Sequence, residues 1–155
     1  MMVFIYSWGL EDRFHQIQHT RNSNKGENLM NRRTAREKAV QILFQIDMNE
    51  NDLTKTMQMV LGDEDVNPFL HVLVDGVIAN RHEIDQLIGE NLDHWSFERI
   101  ALVEKTILRI ATFEMKYLDD IPETVSIDEA VELAKKFGDT KSGKFVNGVL
   151  SKMIK

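Results

Sequence analysis

The stretch IALVEKTILRIATFEM, Ile100 to Met115, constrains the fold more than any other part of the chain. Ile100, Leu102, Val103, Ile107, Leu108, Ile110, Ala111, Phe113 and Met115 are too frequent for one apolar stripe, so a helix here must be central and covered on several sides. The flanking sequence reads as the helices that cover it. Thr34-x-x-Glu37 has the form of a capping box, and Ala35, Ala39, Ile42, Leu43 and Ile46 follow at helical spacing. A short helix is expected from Asp52 to Leu61. Asn67-Pro68 reads as a cap with proline at the first helical position, opening a segment through Leu70, Leu73, Val74, Val77, Ile78, Ile84, Leu87 and Ile88. Ser96 is expected to cap the central helix, which runs to about Leu118. Pro122 interrupts, Ser126-x-x-Glu129 repeats the capping-box form, and Gly138 closes the helix that follows. Ser142 begins the last helix, with Val146, Val149, Leu150 and Met153 as its stripe. No strand is required. The expectation is an all-α chain, a compact bundle of six or seven helices.

Composition narrows the chemistry. The chain has no cysteine, which excludes a disulfide framework, a cysteine-ligated metal and a thiol nucleophile, and makes a reducing cytoplasm the expected setting. No apolar run approaches the roughly 20 residues that span a bilayer, so no membrane association is expected. The histidines (His15, His19, His71, His82, His94) are scattered, and no metal site is expected. Gly138, Gly143 and Gly148 do not fit a dinucleotide fingerprint, and FVNGVL is no phosphate loop. Asp63-Glu64-Asp65 lacks the spacing of a calcium loop and reads as a solvated turn. Nothing predicts two carboxylates converging in an apolar cleft. The chain is expected to be no enzyme and to need no cofactor.

Residues 1–29 show neither sustained helical period nor alternation, and their apolar start is broken by Ser7 and Gly9 without a basic leader, so secretion is not expected. Lys25-Gly26-Glu27 can be encoded by AAA-GGA-GAA, a purine-rich ribosome-binding sequence just upstream of Met30. Residues 1–29 are therefore expected to be a translated leader, with a disordered arm as the alternative, and the working domain spans 30–155.

The net charge of −6 hides a segregation. Residues 31–38 carry +3, residues 39–134 carry −14, and residues 135–155 carry +5. Two basic segments flanking an acidic middle point to a local anionic partner. In the first, Arg32 and Arg33 are expected in a short arm outside the helix and Arg36 on its first turn. A helix N-terminus favours anions, so these cations gain nothing from the helix dipole. Guanidinium groups fork onto phosphates and stack on bases, which suits a nucleic-acid handle contributing nothing to the core. A solubilising, disordered start is the competing reading. In the second, KKFGDTKSGKFVNG, Lys135, Lys136, Lys141 and Lys144 surround Phe137 and Phe145. Cations interleaved with aromatics suit single-stranded RNA, where phosphates need charge and splayed bases need stacking faces. Phe137 continues an apolar face and is expected in the core; Phe145, at the edge of its stripe, is open to either role. The two segments are expected to converge on one RNA-binding strip.

The stretches RRTAREKAVQILFQ, VEKTILRIATFEM and IPETVSIDEAVELAKKFGDTKSGKFVNGVL together resemble the NusB family of bacterial transcription antitermination factors. The resemblance covers nearly all of residues 30–155. It implies an all-helical fold of two three-helix halves packed across each other. It also implies binding to the boxA element of nascent ribosomal RNA, together with NusE, a ribosomal small-subunit protein, within the RNA polymerase antitermination complex. By position it assigns Arg32, Arg33, Arg36, Lys141, Ser142, Lys144 and Phe145 to RNA, and places Phe44, Glu104 and Arg109 at the NusE surface. Some relatives carry an acidic residue where this chain has Lys141, and the lysine implies firmer phosphate contact. Two other readings stay open: the NusB-like domain of an RNA cytosine methyltransferase, for which no cofactor-binding domain is visible, and a helical interaction module with incidental basic ends. Homodimerisation that buries the arginine surface is likewise open.

Overall fold

The computed structural model describes residues 30–49, 52–62 and 67–154. The expected leader and the Asp63–Asp65 turn lie outside the described residues. Among the described residues there are seven α-helices, one 3-10 turn and no strand. They divide into two compact units, the first ending at Ala79 and the second beginning at Asn80.

The first unit contains α1 (Arg32–Asn49), α2 (Leu53–Leu61) and α3 (Pro68–Ala79), with α1 packed on both others. Ala35, Ala39, Ile42 and Leu43 of α1 and Leu70, Leu73 and Val74 of α3 are buried, as their helical spacing requires. The Thr34 capping box does not form. Asn31 takes its place: its Oδ1 accepts the Thr34 N–H at 2.8 Å, so α1 starts upstream and carries Arg32 and Arg33 on its first turn rather than in an arm. Asparagine ranks above threonine as a cap, and the first competent side chain ends the contest. Asp52 caps α2 through the Thr54 N–H, and Gly62, at φ 60°, ends it in a conformation that suits glycine. Asn67 caps α3 as read from Asn-Pro, accepting the Phe69 N–H at 2.8 Å. Its amide also donates to the Met30 carbonyl at 2.6 Å, tying the start of α3 to the residues that lead into α1.

The segment expected to run to Ile88 breaks at Asn80, giving α4 (Arg81–Glu90) to the second unit. This unit continues through the 3-10 turn (Phe97–Arg99), α5 (Leu102–Tyr117), α6 (Glu123–Phe137) and α7 (Ser142–Ser151). It thus holds four α-helices against three in the first. The central-helix reading is matched: every residue from Thr106 to Met115 is buried, and α4, α6 and α7 all pack on α5. Polar groups in that run are satisfied one by one. Thr106 donates to the Leu102 carbonyl at 2.8 Å, Arg109 forks onto Asp85 of α4, and Glu114 accepts the Ser126 hydroxyl of α6 at 3.1 Å.

Two expected caps are corrected here. Ser96 precedes the 3-10 turn rather than α5, because Ile100 and Ala101 are extended and separate the two. That break lets the Phe97 ring lie beside Lys105 and Arg109, at 4.8 and 5.5 Å. Ser126 lies inside α6, which starts at Glu123 directly after Pro122, and its hydroxyl serves Glu114 instead of a helix end.

The cap assignment predicts unequal costs in urea denaturation. Asn31→Ala should destabilise by about 1 kcal/mol, whereas Thr34→Ala should be nearly neutral, since alanine is the better helix former. The reverse order would restore Thr34 as the cap.

Candidate nucleic-acid interface

Each basic segment lies within its own unit. In the first, Arg32 and Arg33 are exposed on the opening turn of α1, where the helix dipole opposes a cation by about 0.3–1 kcal/mol. An aromatic face offsets that cost. The Arg32 and Arg36 guanidinium carbons lie 4.8 and 5.2 Å from the centroid of the Phe69 ring, within the range of cation–π attraction. Arg36 is only 3% exposed, which overturns the expectation that all three arginines stand clear of the core. Its role is to pack on Phe69 as well as to carry charge. Arg32 and Arg33 remain the solvent-facing part of the cluster.

In the second unit the segment folds around the α6–α7 turn. Ser142 begins α7 as expected, and Asp139 supports that start: its Oδ1 accepts the Lys141 and Ser142 amides at 2.8 and 3.0 Å. The Lys141 amide is the largest of the influences that hold the Asp139 carboxyl below its ordinary value of 3.8. Lys141 and Lys144 are exposed, and Phe145 is half-buried. Phe137 is also half-buried, with the Lys136 ammonium 5.7 Å from its ring, so it is not the core residue expected from its spacing. Ser142 is 1% exposed and its hydroxyl faces inward, towards Glu104 at 3.2 Å. Gly138 ends α6 without a left-handed turn. Glycine is needed there because a Cβ would stand 2.5 Å from the Ser142 Oγ and 2.8 Å from the Ala134 carbonyl.

The residues assigned to a protein partner differ in availability. Phe44 is half-buried on α1. Glu104 is partly buried on the first turn of α5; desolvation raises its carboxyl above the ordinary 4.5, the Ser142 hydroxyl opposes the rise, and the Asp139 charge adds to it. Arg109 is 5% exposed, its Nε 2.7 Å from Asp85 Oδ1 and its second fork at 3.1 Å. Arg109 is buried and bound to Asp85 through both forks, so substituting it reports first on the fold.

Sequence reasoning missed Phe69 and Asp139. Asp139 carries a legible signal, an aspartate just ahead of a helix start. Phe69 carries none, since its ring meets the arginines only through tertiary packing. Among the described residues no group of three or more His, Asp or Glu is placed to hold a metal, and no helix is long and apolar enough to cross a membrane.

The geometry predicts a division within the arginine cluster. Arg36→Ala should lower the thermal midpoint, through loss of packing and of a cation–π contact in the range of about 0.5–2 kcal/mol, while Arg33→Ala should leave it nearly unchanged. Equal shifts would remove the structural role given to Arg36.

Comparison with known proteins agrees with this architecture. The chain is 57% identical over 124 residues to the transcription antitermination protein NusB of Geobacillus kaustophilus, covering 80% of this chain and 95% of that one. It is 50% identical over 122 residues to the protein of that name from Bacillus subtilis, covering 79% and 93%. Among solved structures, T. maritima NusB superimposes with a TM-score of 0.73 at 35% identity, covering 80% of this chain and 90% of that one. A chain from the crystal structure of antitermination factors NusB and NusE in complex with dsRNA does so with 0.70 at 30% identity, covering 79% and 94%. The profile of the NusB family matches residues 33–155, and the chain belongs to that family.

Proposed function

We propose that this protein is a transcription antitermination factor that binds boxA RNA of nascent ribosomal transcripts together with NusE. It acts in the cytoplasm, within the RNA polymerase antitermination complex, and without catalysis. Membership of the NusB family supports the reading, as does the similarity to a chain solved with NusE and dsRNA. The observation that carries it is the arginine cluster: Arg32 and Arg33 are exposed at a helix N-terminus that disfavours them, with Phe69 holding Arg32 in place. A polyanion relieves that repulsion.

In this reading Arg32, Arg33, Lys141 and Lys144 meet phosphates, and Phe145 offers a face to an unstacked base. Arg36 acts chiefly by flanking Phe69. Phe44 and Glu104 face NusE, and Arg109 keeps the fold beneath that surface through Asp85. Each phosphate contact to a single strand contributes roughly 0.7 to the dependence of log affinity on log salt.

The Arg32→Ala, Arg33→Ala double variant should therefore bind a boxA oligonucleotide more weakly, with a salt slope shallower by about 1.4. An unchanged slope would exclude the cluster as the RNA contact. Phe145→Ala should cost RNA affinity in the range of about 1–3 kcal/mol, read by fluorescence anisotropy against a scrambled RNA. Equal losses on both RNAs would mean that Phe145 does not read boxA.

A further inference from the structure

Three elements of the second unit meet at one oxygen. The Ser142 Oγ on α7 accepts the Asp139 N–H at 3.0 Å, and lies 3.2 Å from Glu104 Oε1 on α5 and 3.1 Å from Asp139 Oδ1. At the end of α6, Gly138 leaves room for it, since a Cβ there would come within 2.5 Å. A hydroxyl has one proton to give. Asp139 Oδ1 already accepts two backbone amides, from Lys141 and Ser142. Glu104 is partly buried and short of water, so the proton serves it best. The residue at the N-cap position of α7, Lys141, makes no side-chain cap bond, so the helix start is fixed by this cluster instead. Glu104 stands on the most enclosed helix of the unit and gives the turn a rigid anchor.

We propose that Glu104 and Ser142 are positioning residues for RNA binding. Their hydrogen bond sets the first turn of α7, and so the direction in which Lys141 and Lys144 are presented, without either residue touching RNA. The burial of Ser142 at 1% exposure is what separates this role from the direct contact implied by family resemblance. The proposal rests on the reading of Lys141 and Lys144 as phosphate contacts.

The test measures affinity and salt slope for a boxA oligonucleotide with Glu104→Ala, Glu104→Gln, Ser142→Ala, the Glu104→Ala, Ser142→Ala double variant, and Lys144→Ala. A single hydrogen bond of ordinary net strength predicts losses of about two- to tenfold for Glu104→Ala and for Ser142→Ala. The double variant should be no weaker than the worse single, because both remove one interaction. Glu104→Gln should keep wild-type RNA affinity, since its carbonyl accepts the same proton. Salt slopes should hold in these four variants and fall only in Lys144→Ala. In parallel, carboxyl-detected NMR should show the Glu104 titration moving higher in Ser142→Ala, where the opposing hydroxyl is gone. Should Glu104→Ala fail to fold, the glutamine variant, Ser142→Ala and the titration still decide. Glu104→Gln as weak as Glu104→Ala would make charge the active property and overturn the proposal. Multiplicative losses in the double variant, or a Glu104 titration indifferent to Ser142→Ala, would overturn it too. If Lys144→Ala changes neither affinity nor slope, the turn is not an RNA contact; the proposal then falls with that reading, while the titration separately reports whether the hydrogen bond exists.

Discussion

Burying α5 on every side sets the terms for its unit. An unbroken run from Thr106 to Met115 is enclosed, and that run includes a guanidinium and a carboxylate. Neither can be left unpaired in such surroundings without a cost of several kcal/mol. The neighbours must therefore arrive in a fixed register: α4 with Asp85 opposite Arg109, and α6 with Ser126 opposite Glu114. Apolar packing alone would tolerate a slipped helix. These pairings do not, and they explain why α6 takes a serine inward that sequence pattern would have spent on a helix end.

The arginine cluster obeys a different constraint. Cations at a helix N-terminus are electrostatically misplaced, and a carboxylate partner would cancel the charge needed for an anion. An aromatic face attracts the cation without neutralising it. Phe69 offers such a face to both Arg32 and Arg36, which restrains part of the cluster. Immobilised guanidinium groups lose less entropy when they meet a phosphate.

The helices were legible in the sequence because periodicity reports burial directly. Ala35, Ala39, Ile42 and Leu43, the α5 run from Ile107 to Met115, and Val146, Val149 and Leu150 are buried where their spacing puts them. Helix ends were less legible, since several Asn, Asp, Ser and Thr side chains compete within a few residues and only local geometry picks the winner. Asn31 displaced Thr34, and Ser126 lies inside α6 rather than at its start. The extended Ile100–Ala101 break had no proline or glycine to announce it. Charge segregation pointed to both basic segments, but not to the burial of Arg36 and Ser142, which depends on Phe69 and Glu104 arriving from elsewhere in each unit.

Asn67 joins two processes that would otherwise be independent. One carboxamide closes the first turn of α3 and grips the carbonyl of Met30, just ahead of α1. Fraying is the ordinary fate of a helix start, yet here α1 cannot loosen its approach without also giving up a bond made by the cap of α3. Loosening the basic turn thus carries the added cost of one hydrogen bond, about 0.5–1.5 kcal/mol.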